Sequence, residues 1–170
     1  MDALSTTTMP TPVGDLTLVA SARGLRALLW PDEREGRVRL DEATGGGPDA
    51  DQVLADAREQ LEEYFAGDRT EFDVPLDPIG TDFQLRAWEV LRAIPFGETI
   101  TYGEQALQLG DANKSRAVGA ANGRNPISII VPCHRVVGSS GDLTGFAGGL
   151  DTKAWLLRHE QSQMELPLVT

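Results

Sequence analysis

The 170-residue chain is expected to fold as an α+β protein. A small N-terminal antiparallel sheet-and-helix domain over residues 1–78 precedes a mainly helical domain over 79–170 that contains a helix-turn-helix. Three observations carry that expectation. Apolar and polar residues alternate, as in strands, before residue 78, in Leu16-Thr17-Leu18 and Phe72-Asp73-Val74. After residue 80 apolar residues recur at helical spacing, and two segments open on capping boxes. Charge divides at the same place: residues 1–80 carry 17 acidic and 7 basic side chains, residues 81–170 carry 9 and 8.

Leu16 and Leu18, then Leu25 to Trp30 after the turn Ala22-Arg23-Gly24, read as a meander of short strands. From Pro31 to Asp51 the chain turns to Asp, Glu, Arg and Gly, so a surface loop is expected. Val53, Leu54, Ala57, Leu61, Tyr64 and Phe65 mark a helix that Gly67 stops. Phe72, Val74 and Leu76 alternate with Asp73 and Pro75, which fits an edge strand because proline lacks the N–H an inner strand needs. Asp77-Pro78-Ile79-Gly80 is the domain joint. Thr81 with Gln84 opens a helix ending near Ala93. Thr101 with Glu104 opens a short helix stopping at Gly110, and another runs from about Asn113 to Asn122; this pair is the helix-turn-helix. The apolar run Ile127 to Val131 leads into Pro132-Cys133-His134-Arg135, and a Gly-rich loop from Gly138 to Gly149 is open to close approach by a ligand. Asp151 can cap a last helix with Trp155, Leu156, Leu157, His159 and Glu160.

Composition excludes several classes. Apolar residues at 41% and charged residues at 24% fit a packed globular chain, not a disordered one. No apolar run is long enough for a membrane span, and Met1-Asp2-Ala3-Leu4 lacks the basic start of a signal peptide, so a cytoplasmic protein without membrane partners is expected. A single cysteine rules out an intramolecular disulfide, and one Cys with two His makes a closed zinc site improbable; neither metal nor cofactor is expected. The net charge of −11 argues against phosphate binding by the chain as a whole. Ala112 to Gly141 departs from that balance, since it has no Asp or Glu but holds Lys114, Arg116, Arg124 and Arg135.

A lone cysteine is usually a small buried hydrophobe. Beside His134 and Arg135, Cys133 becomes a candidate nucleophile, because the reactive thiolate needs a base or cationic surroundings to form near neutral pH. Consecutive side chains do not face each other, so a bridging water is expected between Cys133 and His134. A carboxylate must then hold the imidazole tautomer, and Glu160, Glu98 and Asp142 are all candidates.

The run Ile130-Val131-Pro132-Cys133-His134-Arg135-Val136-Val137 resembles the active-site signature of the O6-alkylguanine-DNA alkyltransferases, or methylated-DNA-protein-cysteine methyltransferases. The similarity spans Phe83 to Glu160, through Tyr102-Gly103-Glu104, Ser115-Arg116-Ala117-Val118-Gly119, Asn125-Pro126 and Trp155-Leu156-Leu157-Arg158-His159-Glu160. Pro12 to Leu18 and Glu63 to Gly67 resemble the family's amino-terminal domain. The resemblance implies a monomeric DNA repair protein that takes the alkyl group from O6-alkylguanine in double-stranded DNA onto Cys133, irreversibly and once per molecule, with the nucleotide flipped out.

It also implies roles. His134 would be the base through water, Glu160 its orienting group, and Asn125 the brace of the turn before an active-site strand. Tyr102 would donate to the guanine ring as charge develops. The carbonyls of Cys133 and Val136 would take the exocyclic amine, and the Ala147 N–H would address O6 next to Phe146. Arg116 would replace the extruded base while its helix, with Ala117 and Asn122, lies in the minor groove. Lys114 and Arg124 are candidate phosphate contacts from charge and position alone. Two departures bear on alkyl preference: Phe146 stands where an aromatic hydroxyl is common, and Asn122 where some relatives carry a larger apolar residue. The rival readings are a module that binds lesions without transfer and a thiol hydrolase using Cys133, His134 and Glu160.

Overall fold

The computed structural model describes residues 3–164. It divides into two compact units, one running up to Thr81 and including Pro126–Ile130, the other comprising Asp82–Asn125 and the chain from Val131 onward.

In the first unit, β1 (Ser5–Met9), β2 (Leu16–Ser21) and β3 (Gly24–Leu29) form an antiparallel meander in that order. Thr7 lies opposite Leu18, Val19 opposite Ala27, and a bulge falls between Val19 and Ala20. The hairpin from β1 to β2 is held by Thr11, whose hydroxyl donates to the Gly14 carbonyl at 2.6 Å and accepts from the Val13 N–H at 3.1 Å. Helix α1 (Gly47–Ala66) packs on the sheet with Ala50, Val53, Leu54, Ala57, Leu61 and Tyr64 buried at helical spacing. It starts several residues before Val53 because Pro48 fits the first turn, where an amide N–H has no intrahelical acceptor. Gly67 closes it in the left-handed conformation at φ 84°, its N–H reaching back to the Glu63 and Tyr64 carbonyls.

The segment expected as a loose surface loop is anchored. Val38 and Leu40 pack against a cluster of Leu4, Val19 and Ala27. Arg37 reaches inward, donating to Glu33 at 2.6 Å and to the Leu28 carbonyl at 3.0 Å. The expected edge strand at Phe72–Leu76 shrinks to one parallel bridge, Leu76 with Leu25. Gln60 of α1 claims the rest of that segment, accepting from the Asp73 N–H at 3.0 Å and donating to the Asp73 carboxylate, so the backbone follows the helix instead of the sheet. The bridge is tight: a Cβ on Gly24 would lie 2.6 Å from the Pro75 carbonyl oxygen. Just beyond it, buried Arg26 donates to Asp77 at 2.7 Å, and Ser21 donates to the same carboxylate at 2.6 Å.

In the second unit, α2 (Asp82–Arg92), α3 (Tyr102–Gln108) and α4 (Ser115–Gly123) pack on one another. The capping box at α3 is complete, with the Glu104 N–H on the Thr101 hydroxyl at 3.1 Å and the Thr101 N–H on the Glu104 carboxylate at 3.0 Å. Between α3 and α4 a single 3-10 turn at Ala112–Lys114 is capped by Asp111, giving the helix-turn-helix. Buried amides join the helices: Gln105 and Asn122 exchange hydrogen bonds at 3.0 and 2.8 Å, Gln105 also donates to the Ala87 carbonyl at 3.2 Å, and the Trp88 indole N–H donates to the Ala121 carbonyl at 2.8 Å. A two-stranded parallel sheet, β4 (Ile100–Thr101) with β5 (Val136–Val137), and α5 (Leu150–Met164) complete the unit. Among the described residues no helix is long and apolar enough to cross a membrane. The tail 166–170 lies outside the described residues.

Candidate active site

The segment leading to Cys133 is not the expected strand but a pair of γ-turns. Ile129 sits at φ 75°, with the Ile130 N–H on the Ser128 carbonyl at 2.9 Å. A buried β-branched residue at positive φ is strained. Pro132 then adopts φ −83°, ψ 67°, with the Cys133 N–H on the Val131 carbonyl at 2.8 Å, a turn of the opposite hand. Cys133–Arg135 forms one 3-10 turn, and β5 follows at once. Asn125 spans the excursion of residues 126–130: its side-chain amide donates to the Val131 carbonyl at 2.8 Å.

Cys133 is buried, and it is the chain's only cysteine. The 3-10 turn sends His134 inward to 0% exposure, where its Nε2 meets the Glu160 carboxylate of α5 at 2.6 Å. Neither Glu98, exposed after its turn, nor Asp142, exposed and held by Ser140 at 2.6 Å, takes that place. Arg135 grips the same carboxylate with two bonds, Nε to Oε1 at 2.7 Å and Nη2 to Oε2 at 3.0 Å, and caps the Ile94 carbonyl at 2.7 Å. Burial works to protonate Glu160, but the hydrogen bonds and charge it meets at His134 and Arg135 outweigh it and hold the carboxyl far below its ordinary range. Burial also pushes His134 down, against the pull of Glu160, so the imidazole is neutral. An anionic Glu160 can only accept, so Nε2 carries the proton and Nδ1 keeps the lone pair. Among the described residues none hydrogen-bonds Nδ1.

The pairing of β4 with β5 sets the opposite wall. Ile100 lies beside Val136 and Thr101 beside Val137, which places Tyr102, the first residue of α3, next to the cysteine segment. The Tyr102 hydroxyl accepts from Thr144 at 3.0 Å, leaving its own proton to give. Gly119 of α4 comes close to the Tyr102 ring. Phe146 and Ala147 are half-buried in the loop before α5, where the Gly149 N–H closes a turn on the Phe146 carbonyl at 2.9 Å.

On α4, Arg116 and Ala117 are exposed on one face, and Lys114 and Arg124 are exposed at its two ends. Lys114 lies 5.7 Å from the centre of the Phe83 ring. Asn122 is not on that face. Its amide is buried against Gln105, so the side chain joins helices instead of facing outward. One residue of the site went unread in the sequence: Lys153, 0% exposed, whose ammonium donates to the carbonyls of Val136 at 2.7 Å and Thr144 at 2.9 Å. Its one signal is spacing, since residues 153, 156 and 160 share the buried face of α5. Among the described residues no group of His, Cys, Asp and Glu is arranged to hold a metal ion.

A buried cysteine followed by a histidine–carboxylate pair, in the same unit as a helix-turn-helix, defines the class: an α+β protein with a buried Cys-His-Glu cluster. Residues 4–78 match the family model described as the ribonuclease-like domain of 6-O-methylguanine DNA methyltransferase, and residues 82–162 match its DNA binding domain. A methylated-DNA–protein-cysteine methyltransferase of Mycobacterium tuberculosis is 49% identical over 156 residues, 92% of each chain, and one of Methanosarcina acetivorans is 46% identical over 151 residues, 89% of this chain and 94% of the relative. A crystal structure of the Mycobacterium tuberculosis O6-methylguanine methyltransferase superposes with a TM-score of 0.84 at 45% identity, covering 98% of this chain and 96% of that one. A crystal structure of Mycobacterium tuberculosis OGT in complex with DNA gives a TM-score of 0.81 at 46% identity, covering 94% of each chain. The chain belongs to the 6-O-methylguanine DNA methyltransferase family.

Proposed function

We propose that this chain repairs double-stranded DNA by taking the alkyl group of O6-alkylguanine onto Cys133, once per molecule. Family membership supplies the class of chemistry, alkyl transfer in DNA repair. The observation that carries the assignment to Cys133 is the relay behind it: an anionic Glu160, a neutral His134 with its proton on Nε2, and an unoccupied Nδ1. A water between Nδ1 and the thiol takes the Cys133 proton onto His134. The thiolate attacks the alkyl carbon, an S–C bond forms, the C–O6 bond breaks, and the electron pair goes to O6. Tyr102, with its hydroxyl oxygen occupied by Thr144, gives its hydrogen bond to the ring as that charge develops. The thiol proton returns through solvent to the guanine ring, so guanine and an alkyl-cysteine are the products. A thioether has no carbonyl for water to attack, so transfer of this kind is stoichiometric.

The alkyl carbon is inside the base stack, so the nucleotide must leave it. Arg116, exposed on α4, fills the gap, and the small residues Ala117, Gly119 and Ala120 let the helix backbone approach a narrow groove. Lys114 and Arg124 hold phosphates at its ends. In the pocket the carbonyls of Cys133 and Val136 take the guanine amine, and the Ala147 N–H, next to Phe146, addresses O6. The division of labour follows the two domains, residues 1–78 and 79–170, with all of this chemistry in the second; the protein works as a monomer. The test is a titration of duplex DNA carrying a labelled O6-methylguanine. One label per protein molecule is expected on the Cys133 peptide and none with Cys133→Ala. Binding without transfer would leave a lesion-binding module, and more than one turnover would leave the hydrolase.

A further inference from the structure

We infer that Lys153 is the counter-charge of the Cys133 thiolate and, through its two backbone hydrogen bonds, the residue that positions the wall receiving the base. The inference rests on the reaction proposed above. Lys153 is fully buried and its ammonium has three donors, of which two are used, on the Val136 carbonyl next to the cysteine turn and on the Thr144 carbonyl of the Gly-rich loop. It lies 5.8 Å from the centre of the Tyr102 ring, whose hydroxyl Thr144 also holds. One ammonium therefore ties β5, the loop and α3 around the same space.

The charges that face this space are Cys133, His134 and Arg135 from the 3-10 turn, Glu160 and Lys153 from α5, and the phenol of Tyr102 from α3. Arg135 and Glu160 neutralise each other through two hydrogen bonds. His134 is neutral, and the charge of Lys153 helps to keep it so. Among the described residues no carboxylate pairs with Lys153; burial draws its proton affinity down and the charge on Cys133 draws it up. An isolated buried ammonium is costly, and a thiolate is the anion that would offset it. Lys153 thus favours ionisation of Cys133 before the alkyl group arrives, while its hydrogen bonds hold the Val136 carbonyl in place for the guanine amine.

Two variants separate charge from architecture. Lys153→Gln keeps N–H donors for the two carbonyls but removes the charge; Lys153→Met removes both. Thiolate absorbance against pH, with Cys133→Ala as blank, reads the only thiol directly and without DNA. The midpoint is expected to rise by about one unit in both variants, as loss of a nearby opposite charge predicts. Transfer at neutral pH should fall about tenfold with the thiolate fraction. A Lys153→Gln midpoint equal to wild type overturns the inference. Should neither variant fold, the Lys153 ammonium is titrated by NMR in wild type and in Cys133→Ser. A lower midpoint in Cys133→Ser supports the pair, and equal midpoints overturn it. Failure of wild type to take up the alkyl label sinks the proposed function alone, since both titrations report on Lys153 in its absence.

Discussion

Glu160 spends all its acceptor capacity on His134, Arg135 and the Gly97 N–H, the last at 3.4 Å. This makes the protein acid-sensitive in a defined direction. A carboxyl whose folded pKa is depressed adds stability that is present above the ordinary carboxylate range, near about 4.3, and lost as pH falls toward the folded value. Asp77 acts in the same sense: burial raises it, but hydrogen bonds from Arg26 and Ser21 and the charges of Arg26 and Arg23 win. His134 adds an earlier loss. Its folded pKa lies below the ordinary value, so stability falls once pH drops below about 6.5, where the unfolded chain takes up a proton that the buried imidazole resists. Unfolding midpoints in denaturant should therefore decline first between neutral pH and about pH 5 and again below about pH 4. His134→Gln should remove most of the first decline; an undiminished one contradicts the neutral imidazole. Glu160→Gln leaves the Arg135 guanidinium buried without its anion, which should cost about 3–5 kcal/mol of unfolding free energy. The Cys-His pair was legible from the sequence because it is contiguous. The choice among Glu160, Glu98 and Asp142 was not legible in the residues themselves, since it depends on how α5 packs; the family resemblance pointed to Glu160.

The helices and their caps were legible because they are local: the Thr101/Glu104 box, the stop at Gly67 and the two short helices of the helix-turn-helix all follow from neighbouring residues. What failed to show were features set by distant partners. Residues 72–76 look like a strand until Gln60 takes the Asp73 N–H, and Ile127–Val131 looks like one until Ile129 turns to positive φ. Asn125 matters most to that turn. Asn125→Ala would strand the buried Val131 carbonyl and should lower stability by about 1–3 kcal/mol while slowing transfer; unchanged unfolding would show that the carbonyl finds another donor. On α4, Arg116→Ala should slow repair in duplex DNA much more than reaction with a free O6-alkylguanine base. Equal slowing would remove Arg116 from extrusion.

Over the whole chain, the −11 net charge is unevenly placed: Lys114, Arg116 and Arg124 are exposed on and beside α4, on a stretch without carboxylates, where the proposed function puts the duplex. With two cations on phosphates, the logarithm of duplex affinity should fall against the logarithm of salt with a slope of about −2, and Lys114→Ala or Arg124→Ala should each make it shallower by about 1. A slope unchanged by either would make these residues bystanders. The fold class, a three-stranded antiparallel sheet with helices, was readable from periodicity. The return of Pro126–Ile130 to the first unit was not, because nothing local distinguishes a run that completes one body from a run that belongs to the next. There Pro126 accepts from the Leu28 N–H at 2.8 Å and Ile127 bridges Leu28, both positions being fully shielded. On a ribosome the opening eighty residues therefore emerge without a piece of their own interior, and β3 must wait for some fifty more before its last neighbour is synthesised. Maturation of the first body is thus tied to synthesis of the stretch just before Cys133, so a nascent chain cut short of it would leave both units unfinished.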